Sequence, residues 1–420
     1  MGVAAIGSAM TEPYPKEGLP LDQARALILQ ALQPLALSES LPLPECLGRT
    51  VAEAVHAPEA VPGFRASIMD GYALAGSEQP ALGETWQLVG RSAAGAPFLG
   101  TLQPGQAVRV LTGALVPEGS GRVVPQELME ASAQELRLIK ACGTNPWIRS
   151  ADEETAAGGV LAEPGLRLGV AEVARLASCG IQHCRVFSKP RVGLLISGDE
   201  LLPPGQPRQL GEIWESNSTL LRGLLERLGY GVAVQRVVGD QPEPLRQALL
   251  ALAEDCDVVV STGGVSAGDT DWIRPLVAEL GEVRFWKLFL KPGRPLAWGT
   301  VAGTPFFGLP GNPVAAAVTA LQLLWPALQR LEGAQVQLLP RLRVALEQPL
   351  RRGAGRPELA RASLVVAEDG RLLARVAGSQ ASSRIGSLAG ADLLLEIPAE
   401  LGSLEAGAEL WAQLLRLPIF

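Results

Sequence analysis

At 420 residues the chain exceeds the roughly 250 to 300 at which single hydrophobic cores stop growing, which excludes a one-domain protein. Hydrophobic residues at 47%, charged residues at 19%, 47 Gly and 33 Pro describe a globular chain with many turns and exclude a disordered one. A net charge of −7 excludes a surface built as a whole to attract nucleic acid or anionic lipid, so any anionic ligand must be met by a local pocket.

The chain begins without the basic start and apolar core of a signal peptide over residues 1 to 20, and no apolar run is read as long enough to span a bilayer. The five cysteines are scattered, with no Cys-x-x-Cys pair, which argues against a disulfide framework or zinc site. The expected location is therefore cytoplasmic. Leu21 to Ala36 places Ala24, Leu27, Ile28, Ala31 and Leu35 at three- and four-residue spacings, which predicts an amphipathic helix. From Pro58 to Asn145 short apolar runs, such as Trp86 to Val89 and Val108 to Leu111, alternate with Gly and Pro and predict a β-rich insert. A helical pattern resumes at Gly169 to Ala177. Residues 19–57 and 146–188 are thus expected to form one discontinuous domain around an insert at 58–145.

Residues 189–333 have a different texture, with buried-strand runs alternating with helices at the spacing of a parallel sheet. Val192 to Ile196, Val232 to Val238, Val258 to Val260 and Phe306 to Leu309 read as strands. Ser218 to Leu228 and Glu243 to Leu252 read as helices. Asn312 and Pro313 start a further helix, Asn as the cap and Pro at the first position, which runs to Leu331 with a kink near Pro326. Residues 334–420 carry alternating apolar runs, Leu342 to Leu346, Leu364 to Val366 and Leu393 to Ile397, which predict a small β domain.

In doubly wound sheets ligands bind beyond the carboxyl ends of the strands, and Val258 to Thr262 delivers Gly263 there. Within STGGVSAGDTD, Ser261 to Asp271, two glycines let the backbone approach an anion, Ser266 offers a hydroxyl, and a helix beginning near Asp271 adds its positive end. That combination suits a phosphate, with a plain Gly turn as the bland alternative. Asp269 and Asp271 would repel the phosphate unless a cation such as Mg²⁺ joined carboxylates to phosphate oxygens. Asp199 and Glu200 in SGDEL and Asp240 in VVGDQPEP follow other strands of the sheet. Each alone reads as a solvated loop carboxylate or a cap, and together they favour a hard-cation site. Lys287, Lys291 and Arg294 in FWKLFLKPGRP lie around a turn stiffened by Pro292 and Pro295, and either hold a polyanion or stand as solvated strand-end cations. Gly311 and Asn312 in FGLPGNPVAA line the same cleft or only cap a helix. Neither His56 nor His183 lies in a motif, which argues against a histidine base.

Taken in order, RASIMDGYAL, SGDEL, STGGVSAGDTDW, FWKLFLKPGRP and FGLPGNPVAA resemble the molybdopterin molybdenumtransferases, the MoeA and gephyrin E-domain family, from about residue 19 onward. The resemblance implies a multidomain α/β plus β fold: a central parallel-sheet α/β domain of molybdopterin-binding type, a β-rich insert, a discontinuous N-terminal domain and a small C-terminal β-barrel. It implies insertion of molybdate into the dithiolene of adenylylated molybdopterin with release of AMP, Mg²⁺ as cofactor, and a homodimer whose active site is shared between subunits. Gly263, Gly264 and Ser266 match the phosphate turn, with Ser261 and Asn312 as further substrate contacts. Glu200, Asp240 and Asp271 match acidic cleft residues, and Asp240, Asp271 and Asp269 are the candidate metal ligands. Lys287 and Lys291 match basic residues of the cleft and, with Arg294, would hold molybdate.

Asp70 in MDGY and Thr112 in VRVLTGALVPEG match insert residues that face the other subunit's cleft, although Asp70 alone reads as a turn former. Arg149 matches an arginine after the insert, and Pro310 and Pro313 match prolines that shape the cleft. The chain departs from the pattern at Arg65, where an aspartate is usual, at Asp152 and Glu154, where glycine and aspartate are usual, at Leu115 for proline, and at Arg294 for lysine. A molybdopterin-adenylylating protein is the expected partner, with no nucleic acid and no membrane. The rival readings are molybdopterin adenylylation by the α/β domain and a non-catalytic scaffold of the same family. Water or a molybdate oxygen is the attacking group.

Overall fold

The computed structural model describes residues 17–76, 79–265, 271–376 and 378–416, so Ser266 and Asp269 lie outside the described residues. The chain forms two compact units, Ser40–Val186 and a second that joins Met1–Glu39 to Phe187–Phe420.

In Ser40–Val186, a six-stranded sheet runs in the order Ser120–Pro125, Gly71–Ala75, Gln106–Val110, Thr85–Ser92, Glu135–Leu138, Met129–Ala131. Strand side chains alternate between faces, so Tyr72, Leu74, Ala107 and Val124 enter one core while Ala73, Val108 and Val123 enter another on the opposite face. Elsewhere in this unit the helix Val170–Ser178 buries Leu176 against Leu43, Cys46, Leu161 and Val186. Its first turn is tied by Glu172, whose carboxylate accepts the Gly169 N–H at 3.0 Å.

The second unit contains another six-stranded sheet, in the order Val232–Val238, Val192–Ser197, Val258–Thr262, Thr304–Leu309, Pro295–Val301, Gly281–Lys287. The first four strands are parallel, as the sequence texture predicts. The last two add antiparallel, because residues 288–294 between them are too few for a crossover helix. Val192–Ser197 and Val258–Thr262 are buried throughout, which explains their unbroken apolar runs. One face of the sheet packs on Asn217–Arg227 and the long C-terminal helix of this domain, and the other on Pro242–Asp255 and Ile273–Leu280.

The first helix spans Leu21–Ala31, shorter than the spacing predicts, since Leu32 is already extended and Gln33 precedes Pro34, a position biased away from the α conformation. Ala24 and Ile28 join the α/β core, whereas the sequence pattern grouped this helix with residues 146–188.

The long helix from Pro313 to Glu332 replaces the expected kink by a π-helical turn, Ala320–Leu324, just before Pro326. Pro326 has no N–H to give to the Gln322 carbonyl, and that carbonyl instead accepts Arg25 Nε at 3.0 Å from the first helix. The helix closes at Gly333, whose φ of +91° is the left-handed cap favoured by glycine. At 20 residues it is long and apolar enough to cross a bilayer, contrary to the expectation that no such run exists, but 94% of its most apolar stretch is buried within the protein. It is a core helix. Gln322 continues to the C-terminal part of the unit through Gln413 at 2.6 Å, and Gln413 to Glu396 at 2.9 Å. There Arg341–Leu346, Leu372–Arg375, Glu358–Val366, Leu393–Ile397 and Glu409–Leu414 close into a barrel around Val344, Leu346, Leu393, Leu395 and Leu410. Closure leaves no unpaired edge.

Candidate functional site

The four parallel strands end side by side, and their carboxyl ends carry the motifs. Val238 leads to Gly239 and Asp240, Ser197 to Asp199 and Glu200, Thr262 to Gly263 and Gly264, and Leu309 to Pro310 and Asn312. A cleft of about 720 Å³ opens there, lined by Glu200, Asp240, Gly263, Gly264, Asp271, Pro310, Asn312 and Pro313 among others. The structure therefore brings together most of the cleft residues expected from sequence.

Gly263 has φ +94° and Gly264 φ +62°, so both need the freedom that glycine alone has at little cost. A Cβ on Gly263 would lie 2.5 Å from the Ser197 carbonyl oxygen, which shows how closely the neighbouring strand end is packed beneath the turn. Asn217 ties this turn to the next one. Its Nδ2 donates to Thr262 Oγ1 and to the Gly311 carbonyl, both at 2.7 Å, and Thr262 Oγ1 donates to the Pro310 carbonyl at 3.1 Å. Asn217 was not singled out from sequence, although the polar run Ser216, Asn217, Ser218 directly before a helical pattern is the signal that could have found it.

Carboxylates dominate the cleft. Glu200, Glu215, Asp240 and Asp271 line it, and no Lys or Arg does among the described residues. Glu215 is committed to the start of the Asn217–Arg227 helix, where it accepts the Ser218 N–H at 2.9 Å and the Ser218 hydroxyl. Burial, then the like charges of Asp199 and Glu200, push the Asp240 carboxyl above the usual carboxylate range. Asp199 Oδ1 accepts the Asp240 N–H at 2.9 Å and holds the two loops together. Among the described residues no group of three or more His, Cys, Asp or Glu is placed to hold a metal ion by itself. Mg²⁺ needs none: it is bound by one or two carboxylates with substrate phosphates and water filling its octahedron. An all-oxygen acidic cleft fits such an ion.

The basic segment is placed differently from expectation. Gly293 and Pro295 form part of the cleft wall, but Lys287, Lys291 and Arg294 are not among its lining residues. Lys287 lies over the Trp286 ring at 4.2 Å, and Lys291 pairs at 3.0 Å with Glu358, a buried barrel residue. The turn gives its glycine and proline to the lining of this cleft, and Lys291 to Glu358. Ser261, expected as a substrate contact, lies fully buried inside its strand. Asn312 stands at the helix start but does not cap it through its side chain, and its Nδ2 donates instead to Ser382 Oγ at 3.1 Å. Ser382, Ser383 and Ile385 from the C-terminal part of the chain line the cleft, and no pattern in the sequence announced them.

In the unit Ser40–Val186, Asp70 and Thr112 meet. Asp70 Oδ1 accepts both the backbone N–H and the hydroxyl of Thr112 at 2.8 Å. These bonds, the backbone one foremost, hold the Asp70 carboxyl below the ordinary aspartate range. The folded pKa is the lower one, so the bonds stabilise fully above the unfolded value of about 3.9 and the benefit is lost as pH falls through the folded value. Thr112→Val removes the hydroxyl bond and keeps the N–H bond. The Asp70 carboxyl should then titrate higher by NMR, and an unchanged midpoint would refute the assignment. Arg149 lies 3.5 Å from Glu153, and Arg65, where the family pattern has an aspartate, donates to the Ser120 carbonyl at 2.9 Å.

Comparison with known proteins covers the same ground. Family profiles match residues 19–180 as MoeA N-terminal region (domain I and II), 193–330 as probable molybdopterin binding domain, and 343–415 as MoeA C-terminal region (domain IV). The molybdopterin molybdenumtransferase of Haemophilus influenzae is 34% identical over 392 residues, 93% of this chain and 96% of that protein. Gephyrin of Dictyostelium discoideum is 30% identical, over 93% of this chain and 61% of its own length. Among solved structures, the molybdopterin biosynthesis MoeA protein from Pyrococcus horikoshii OT3 superposes with a TM-score of 0.81 at 27% identity, covering 94% of this chain and all of that one.

Proposed function

The chain belongs to the molybdopterin molybdenumtransferase family, and from that premise we propose that it is a molybdenum insertase, transferring molybdate into the dithiolene of adenylylated molybdopterin and releasing AMP. The observation that carries this reading is the Gly263–Gly264 turn facing the carboxylates Glu200, Asp240 and Asp271 in one cleft of the matched molybdopterin binding region.

The turn offers main-chain contact to the substrate's pyrophosphate, with Asn217 fixing its position against Pro310 and Gly311. Asp240 and Asp271, beside Glu200, would hold Mg²⁺. Bound there, the ion would supply positive charge toward the phosphoanhydride oxygens. Gly293 and Pro295 bring the segment carrying Lys287, Lys291 and Arg294 up to the wall, and we assign that segment to the molybdate charge. Five unbridged cysteines suit the reducing, cytoplasmic setting in which a dithiolene survives.

The test is incubation with adenylylated molybdopterin, Mg²⁺ and molybdate, followed by assay of AMP and of cofactor competence. AMP release that depends on both ions is expected. Consumption of ATP with molybdopterin would identify an adenylyltransferase instead, and no turnover at all a scaffold.

We further propose a homodimer in which Asp70 and Thr112 act on substrate held by the other copy. Asp70→Asn and Asp271→Asn proteins should each be inactive alone. Co-expressed, they should recover about one quarter of wild-type activity, because about half the dimers are mixed and each mixed dimer keeps one intact site. Recovery of none, with dimers formed, would place both residues in the same copy's site.

A further inference from the structure

Resting on the insertase reading, we infer that Trp214 is the platform on which a planar heteroaromatic ring of the substrate, its pterin or its adenine, stacks. Trp214 lines the same cleft as the phosphate turn and the carboxylates, yet it is 48% exposed. A large ring left that open on a cleft wall calls for an occupant. Its own polar need is already met, since Nε1–H donates to the Gln206 carbonyl at 2.9 Å, so the ring offers its π-face rather than a hydrogen bond. The Arg208 guanidinium lies over the ring, 4.4 Å from its centroid, and Arg208 does not line the cleft. It covers one face of the ring and leaves the other for a ligand.

The ring is also held rigidly. The short strand Ile213–Trp214 pairs with Leu201–Leu202, the Ile213 N–H donates to the Glu200 carbonyl and the Glu215 N–H to the Leu202 carbonyl, both at 2.8 Å. Trp214 is thus fixed to the segment that carries Glu200. Ile196, Leu201 and Ile213 give the cleft apolar wall, while Asp240 and Asp271 provide its charged part. Such a division suits a substrate with flat rings joined through a pyrophosphate. Stacking on an aromatic side chain is sequence-tolerant and strong enough to set affinity, and an arginine on the far face adds to it.

The test uses the full-length protein as Trp214→Ala and Trp214→Phe. Loss of the ring should raise KM for adenylylated molybdopterin roughly 5- to 150-fold, the range that base–aromatic stacking spans, with a smaller change in kcat. Trp214→Phe should restore most of the loss. Calorimetric titration with AMP and with a free pterin as separate probes then names the ring, because only the probe that stacks on Trp214 weakens in Trp214→Ala. Equal KM values in active wild-type and Trp214→Ala proteins would overturn the proposal. So would a Trp214→Phe protein as impaired as Trp214→Ala, which would put the weight on the bond to Gln206. If the wild type releases no AMP at all, the insertase reading fails separately, and unaltered binding of both probes by Trp214→Ala would still refute the platform.

Discussion

Asp271→Asn should lower the rate of molybdate-dependent AMP release by about 10²- to 10³-fold, the usual cost of removing one electrostatic contributor at a reacting centre. The change keeps the size of the side chain and removes its charge. Asp271 lines the cleft on the approach to the helix Ile273–Leu280, within reach of the same ligand as the Gly263–Gly264 turn. The residue is half-buried. The carboxylate's work is to attract a cation, so the apparent Mg²⁺ requirement should rise as well, and excess Mg²⁺ should return part of the rate. Wild-type turnover in this protein, at ordinary Mg²⁺, would remove Asp271 from the metal site.

Gly263→Ala should be as damaging by a different route. The residue would keep φ near +94°, a region that costs an L-residue roughly 1–2 kcal/mol, and its new methyl would lie 2.5 Å from the Ser197 carbonyl and 3.0 Å from Ser197 Oγ. The carbonyl is backbone of the neighbouring strand end and cannot turn aside, so the turn itself must move. A misplacement of about 1 Å near the chemistry can cost about 100-fold in rate, and that is the loss expected here. Gly143→Ala is the control: its Cβ meets nothing within 4 Å and its φ is not positive, so rate and melting temperature should both hold. Equal behaviour of the two proteins would show that the turn does not need glycine at 263.

Legibility followed the range over which each feature is determined. Val232–Val238 was readable from valines at 232, 234, 237 and 238, which suit a half-buried strand, and its observed limits are the predicted ones. The Gly263–Gly264 turn was likewise readable from its two glycines. Lys287, Lys291 and Arg294 were found on the right segment, but which atoms of a tight turn face a cleft depends on the strands that flank it, and those strands pair antiparallel. Ser261 looked like a loop residue beside its glycines, yet its strand continues through Thr262 and buries it. Ser382 was unreadable because it reaches Asn312 from 70 residues away. At Pro326 the break in the helix was foreseen and its form was not, since the π turn depends on a partner at Arg25.

That last pairing bears on how the chain is made. Arg25 and Gln322 are 297 residues apart, and the apolar side of the first helix, Ala24 and Ile28, is buried only against parts of the chain made much later. An isolated helix of 11 residues is marginal in water, so this segment leaves the ribosome without a stable partner. At about 5 to 20 residues per second, synthesis reaches Gln322 about 15 to 60 s after Arg25. Meanwhile Ser40–Val186 has all the strands of its own sheet and can close first. Folding order would then invert chain order: the helix made earlier docks among the last, and its apolar stripe is the surface for which a chaperone and a misfolding partner would compete.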